Sequence, residues 1–236
     1  MSARSLATRR LLFIGAPGVG KGTYASRVSE AVGIPHISSG DLLRAEVKAG
    51  SAIGTQVKDL IDQGKFVSND LVMDMIEADI RRRQSQGYIL DGFPRSLEQA
   101  KAVDARKGGV IAIEHVINFR QPYQVILEKV SQRRNCPSCG MVYNYAKIDV
   151  AGIKMDPLVP KVEGKCDRCG CTDAFVTRPD DVREVVEKRL KLYEEQTAPL
   201  EEYYAAQGKL HQFDVLGGAK QYLPKVLDLL NSLPSA

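Results

Sequence analysis

Four short runs read as apolar β-type segments: 10–14 (RLLFI), 88–90 (YIL), 116–119 (VINF) and, with more polar residues, 211–215 (HQFDV). Continuous apolar runs of this length mark strands buried on both faces. Between them the apolar positions take up a helical period, predicting helices over 21–32, 40–49, 54–64, 69–86, 96–104, 121–134, 180–207 and 221–232. Strands alternating with helices predict an α/β fold with a central parallel sheet covered on both faces. Ser68-Asn69-Asp70 offers an N-cap for the helix that follows, and Pro179-Asp180-Asp181 reads as a helix start with proline near N1 and acids in the first turn. Two stretches break the rhythm. Residues 38–67 insert short helices, while 135–176 lose helical periodicity and gain Cys, Gly, Pro, Tyr and Val, as a small β-rich excursion does.

Composition narrows the class. With 236 residues, 44% of them hydrophobic, the chain can bury a real core and forms one large domain or a core with inserted pieces. A net charge of +4 is too mild to imply a nucleic-acid partner. No apolar run approaches the ~18–20 residues of a membrane-spanning helix, so a soluble, cytoplasmic protein with no membrane partner is expected. The first ten residues, MSARSLATRR, hold three Arg and no acid, as transit peptides do, but the strand from about residue 10 leaves too little chain for one. A frayed basic terminus is expected instead.

The first chemical signal is Gly15-Ala16-Pro17-Gly18-Val19-Gly20-Lys21-Gly22-Thr23, which follows a strand and opens a helix. Glycines let backbone N–H groups turn inward around phosphate oxygens, the helix N-terminus adds partial positive charge, and Lys21 adds a full one. Gly22 stands where the strict pattern has Ser or Thr, which weakens direct magnesium ligation by a loop hydroxyl. Asp91 ends the second apolar run at the sheet edge where ligands bind in open α/β sheets, and is a candidate to hold magnesium, directly or through water. Asn-Lys-x-Asp, the guanine-reading tetrapeptide of GTPases, is absent. His36, His115 and His211 form no evident nucleophilic triad.

All five cysteines lie between Cys136 and Cys171. Cys136-x-x-Cys139 and Cys166-x-x-Cys169 are paired knuckles that can present four thiolates tetrahedrally to a structural zinc ion. Cys171 is either a bystander or a substitute for Cys169.

The loop GAPGVGKGT, the segments ISSGDLLR (37–44) and LDGFPRSLEQA (90–100), and TRPDD with KRL further on (177–190) resemble the adenylate kinase family from about residue 10 to 233. The resemblance implies a P-loop three-layer αβα core (1–37, 68–131 and 178–236), an α-helical AMP-binding insert (38–67) and a β-rich zinc lid (132–177). It implies reversible Mg2+-dependent transfer of a phosphoryl group from ATP to AMP, giving two ADP, by a monomer. ATP would be held by Gly18, Val19, Gly20, Lys21, Gly22, Thr23, Arg133, Val142 and Tyr143. AMP would be held by Ser39, Arg44, Lys65, Val67, Gly92, Arg95, Gln99, Arg178 and Arg189. Lys21, Arg95, Arg133, Arg178 and Arg189 would act on the transferring group, Asp91 would hold Mg2+ through water, and Cys136, Cys139, Cys166 and Cys169 would hold Zn2+. Arg189 has independent support, because it falls on the inward stripe Val182–Val185/Val186–Tyr193. Tyr143 fits equally a residue near ATP and an aromatic of the lid's own core. Lys129 stands where the family usually has an Arg stacked on the ATP base, and 216–221 (LGGAKQ) is longer than the family's loop. A pyrimidine or GTP-using nucleoside monophosphate kinase is the nearest alternative. A zinc-knuckle nucleic-acid module on an ATPase is a remoter one, which leaves LDGFPR unexplained.

Overall fold

The computed structural model describes residues 6–62, 67–106 and 109–234. Five parallel strands form the central sheet: β1 (Arg10–Gly15), β2 (His36–Ser38), β3 (Tyr88–Asp91), β4 (His115–Arg120) and β9 (Leu210–Asp214), in the spatial order β2-β3-β1-β4-β9. Alternating side chains feed two cores. Leu11, Phe13, Ile89, Ile117 and Phe119 face α1 (Lys21–Val32), α6 (Tyr123–Ser131) and α9 (Ala219–Ser232). Leu12, Ile14, Tyr88, Leu90 and Val116 face α4 (Asn69–Arg83), α5 (Leu97–Ala105) and α8 (Pro199–Ala206). Each such side chain contributes roughly 1.5–3 kcal/mol by leaving water, so the period-2 alternation fixes the register that brings the strand ends to one edge.

The predicted strands lie within a residue or two of those observed. β2 was not predicted, because three residues, His-Ile-Ser, carry no periodic signal. The insert contains α2 (Ser39–Ala49), capped by the Ser38 hydroxyl accepting from the Asp41 N–H at 3.2 Å, and α3 (Ala52–Asp62). Two predicted helices run shorter. α4 stops where Gln84 turns left-handed, and α6 stops because Arg133–Asn135 pairs as β5 with β6 (Val142–Asn144). The single helix predicted over 180–207 is broken into four pieces. Pro179–Asp181 is a 3-10 turn, Arg183–Leu192 is α7, Tyr193–Thr197 is a π turn and α8 begins at Pro199. Pro199 has no N–H to continue the ladder, and the Ala198 N–H reaches back five residues to the Tyr193 carbonyl at 2.9 Å.

Within 135–176 the chain also forms the antiparallel hairpin β7 (Ile148–Val150) and β8 (Ile153–Met155). The frayed N-terminus expected from composition is corrected over residues 6–9. Leu6 is buried, and Arg9, 4% exposed, donates to the carbonyls of Leu233 at 2.7 Å and Pro234 at 3.2 Å.

Candidate active site

β1 delivers the chain to the phosphate loop through Gly15, whose φ of +135° and whose approach to Phe119 exclude any side chain; a Cβ there would lie 2.3 Å from the Phe119 carbonyl oxygen. α1 then starts at Lys21 behind Gly20, with no side chain capping it, so its first N–H groups are left to face the cleft. Lys21 Nζ folds back to donate to the carbonyls of Gly15 at 2.7 Å and Ala16 at 3.1 Å. Burial, with Arg95, Arg189 and Arg133 nearby, pushes its pKa down to about 8 despite the opposing charge of Asp91. Gly22 has a steric reason too: a Cβ on it would stand 3.2 Å from Asp91 Oδ2. The loop and the carboxylate therefore approach more closely than a serine or threonine there would comfortably permit.

Asp91, at the C-terminal end of β3, is met by His36 Nε2 at 3.3 Å. Burial alone would raise the Asp91 pKa, but the His36 hydrogen bond and the charges of His36, Lys21 and Arg95 hold it below the usual carboxylate value. His36 had not been singled out from sequence. Its position directly before the ISSGDLLR segment was the available signal.

One cleft of about 710 Å³ takes in the phosphate loop, Asp91 and all five predicted arginines, Arg44, Arg95, Arg133, Arg178 and Arg189. The arginines come from five separate parts of the chain. α2 carries Arg44, the turn after β3 carries Arg95, β5 carries Arg133, the segment before the 3-10 turn carries Arg178, and α7 carries Arg189. Burial, together with neighbouring arginines, lowers the pKa of Arg95 and of Arg178 to about 10. Arg133 forms a two-point ion pair with Asp181, Arg189 pairs with Asp180, and Arg178 Nε donates to Asn135 Oδ1 at 3.1 Å. Asp180 and Asp181, read from sequence only as helix-start acids, thus orient cations in the cleft. Of the stripe read as inward, Val186 is buried and Arg189 lines the cleft, but Val182 is 53% exposed, because it lies in extended backbone ahead of α7.

A smaller adjoining cavity of about 60 Å³ is lined by Ser39, Leu43, Val67, Gly92, Gln99 and Arg95 among others, which gathers most of the predicted acceptor-side residues. Here Gln99 is fixed on both ends, accepting from the Arg95 N–H at 2.7 Å and donating to Asn69 Oδ1 at 2.8 Å. The Ser39 hydroxyl donates to the Gly92 carbonyl at 2.8 Å. Lys65, also predicted here, lies outside the described residues.

Gly18, Val19, Gly20, Gly22, Thr23 and Val142 all line the larger cleft. Tyr143 takes the other of its two open readings and sits in a small core with Cys136, Cys166 and Phe175, 1% exposed. Its hydroxyl donates toward Cys166 Sγ at 3.6 Å and accepts from the Asp167 N–H at 2.7 Å. The sulfurs of Cys136, Cys139, Cys166 and Cys169 lie within 4.8 Å of one another, with Cys136–Cys169 at 3.6 Å and Cys139–Cys166 at 3.5 Å. Four thiolates about 2.3 Å from a tetrahedral zinc are separated by about 3.8 Å, so this donor set fits. Cys171 is outside the cluster, its sulfur 3.3 Å from Asp173 Oδ2.

The profile of the family described as adenylate kinase matches residues 13–209. "Adenylate kinase 1, chloroplastic" of Arabidopsis thaliana is 40% identical over 228 residues, covering 93% of this chain and 76% of that protein. "Adenylate kinase" of Nitrosococcus oceani is 42% identical over 207 residues, 87% of this chain and 90% of that protein. "Adenylate kinase" of Rhizobium rhizogenes is 41% identical over 226 residues, 95% of this chain and all of that protein.

Proposed function

The chain belongs to the adenylate kinase family and is a phosphotransferase with a phosphate group as acceptor, and from that premise we propose how its own residues carry out ATP + AMP = 2 ADP. The observation that carries the reading is the convergence of Lys21 and five arginines on one cleft that opens beside a smaller cavity lined by the predicted acceptor-side residues. An AMP phosphate oxygen is already ionised at neutral pH, so attack on the γ-phosphorus of ATP needs no base. One P–O bond forms to that oxygen as the bond to the β,γ-bridging oxygen breaks. The obstacle is repulsion between two polyphosphates, and a fixed cationic ring offsets it most where charge shifts in the transition state.

In this reading the loop N–H groups and Lys21 hold the ATP phosphates, and Arg133 faces them from the lid base. Arg44 and Arg95 grip the AMP phosphate, and Arg178 and Arg189 close on the transferring group. Ser39, Gln99 and the backbone at Val67 and Gly92 frame the AMP base, with Lys65 nearby in sequence. Adenylate kinases use Mg2+ with ATP, and Asp91, kept ionised at the loop's edge, would hold it through water; bound there, the ion neutralises phosphate charge. Zinc on Cys136, Cys139, Cys166 and Cys169 would fix a lid segment with only a small core of its own. A reducing compartment such as the cytoplasm keeps those four thiols available. No described helix is long and apolar enough to cross a membrane.

The deciding assay follows ADP formation from Mg-ATP with AMP, UMP, CMP and GMP in turn. Two ADP formed per AMP consumed is the expected result. Transfer to a pyrimidine monophosphate alone would overturn the base assignment, and no transfer to any acceptor would overturn the reaction.

A further inference from the structure

Arg178 is held differently from Arg133 and Arg189. Those two rest on the carboxylates of Asp181 and Asp180, which offset part of their charge. Arg178 instead donates from Nε to a neutral amide oxygen, Asn135 Oδ1, at 3.1 Å. An amide acceptor at Nε cancels none of the charge and leaves both Nη groups for a phosphate. Asn135 ends β5, one residue before Cys136, and is 6% exposed. Two positions apart on the strand, Arg133 and Asn135 share a face, and both line the cleft.

The other end of the amide is tied as well. Asn135 Nδ2 donates to the Gly140 carbonyl at 3.2 Å, and the Gly140 N–H donates to the Cys136 carbonyl at 2.9 Å, closing the turn of the first cysteine knuckle. The guanidinium can only donate and the Gly140 carbonyl can only accept, so one orientation of the amide satisfies both. A carboxylate in its place would face the Gly140 carbonyl with a second acceptor, and an apolar side chain would serve neither group. The backbone is fixed independently. Asn135 and Val176 exchange both hydrogen bonds, at 2.8 and 2.9 Å, two residues ahead of Arg178. The backbone pairing thus sets where the segment runs, and the Asn135 side chain sets where the guanidinium points.

We propose that Asn135 is a positioning residue for phosphoryl transfer: its side chain fixes the Arg178 guanidinium to the first cysteine knuckle and holds it in the cleft before the substrates arrive. This rests on the reading of Arg178 as a group that acts on the transferring phosphate. A guanidinium free to swing must be ordered on the way to the transition state, and a misplacement of about 1 Å in such a group can cost about 100-fold in rate. Ground-state binding is shared among Lys21 and the other arginines, so it depends on this one contact less.

The test is a kinetic cycle on the zinc-loaded full chain: Asn135→Leu, Arg178→Lys, which has no Nε–H to give, and the two together. Asn135→Leu is expected to lower kcat roughly 10–100-fold while KM for Mg-ATP and for AMP stays within about threefold. On the Arg178→Lys background the same change should cost less than about twofold in kcat, since the group it positions is gone. Metal content should stay at one per chain throughout. Asn135→Ser, smaller and still polar toward the Gly140 carbonyl, reads the same contact if Asn135→Leu does not fold. Losses that multiply in the double variant, a kcat unchanged in both Asn135 variants, or a fall in kcat that only tracks lost metal overturn the proposal. Failure of the underlying reading looks different: Arg178→Lys would then leave kcat unchanged.

Discussion

Lys21 shows how the loop's charge depends on its surroundings. Its pKa, held at about 8 mainly by burial, means the free enzyme begins to lose this cation just above neutrality. Bound phosphates favour the ammonium, so donor binding above pH 8 must take up a proton. The expected outcome is that kcat/KM for Mg-ATP is level below about pH 8 and falls toward tenfold per pH unit above it; a flat profile to pH 10 would count against the assignment. Arg189 makes a second expectation at this scale. With its guanidinium held on the cleft by Asp180, Arg189→Ala should lower kcat by about 10²–10³-fold, read against a thermal melt that separates lost chemistry from the unpaired Asp180. Motif spacing made most of the cations legible in sequence, since Arg44, Arg95, Arg178 and Arg189 each sit in a short recognisable segment, while Arg133 came only with the family resemblance. Their partners were not legible. Asp180 and Asp181 lie in such a segment, but their pairing with Arg189 and Arg133 depends on how α7 and β5 pack, and no local period encodes that.

Among the elements, β1, β3 and β4 were readable because burial on both faces makes a continuous apolar run, and most helices because burial of one face imposes a period. By contrast β9, expected to be buried on both faces, is an edge strand with no fully buried residue. Short elements were not readable, and β2 is the example. The helix over 180–207 was misread for a different reason: its apolar spacing is helical throughout, whereas its breaks are set by the single missing N–H of Pro199 and by the extended Val182 after Asp181. The cysteine knuckles were legible from spacing alone, yet the role of Cys171 required coordinates. Because its sulfur lies outside the four-thiol cluster, Cys171→Ser should retain one metal per chain, while Cys136→Ser should lose it and melt at lower temperature. Metal analysis beside calorimetry checks both. If the metal is structural, Cys136→Ser also lowers thermal stability more than it lowers kcat near 25 °C, since no step passes through the thiolates.

At the scale of the whole molecule, the two ends of the described chain close against the edge of the sheet opposite the cleft. Arg9 binds the last carbonyls of the C-terminal helix segment, and His115 Nε2 lies 3.1 Å from the Pro234 carbonyl, while His115 Nδ1 and His211 Nε2 are 3.2 Å apart. The groups facing this clasp are Arg9, Glu114 and the two imidazoles themselves. For His115, burial lowers the pKa, Pro234 raises it, and Arg9 and Glu114 oppose each other; for His211, burial and His115 both lower it. The sign follows from proton counting. Each histidine binds its proton more readily unfolded than folded, so the unfolded chain carries more protons just below pH 6.5, and stability is full above that pH and lost as pH falls through the window beneath it. The expected slope is at most about 1.4 kcal/mol per pH unit for each proton taken up. Thermal melts from pH 7.5 to 5.5 should therefore fall more steeply for the native chain than for a His115→Asn, His211→Asn double variant, which starts lower but carries neither titration. Parallel slopes would remove the histidine pair from the account and leave the closure to Arg9 alone. In that case Arg9→Met, which gives up two charge-assisted bonds to backbone carbonyls, would lower the melt by the same amount at every pH.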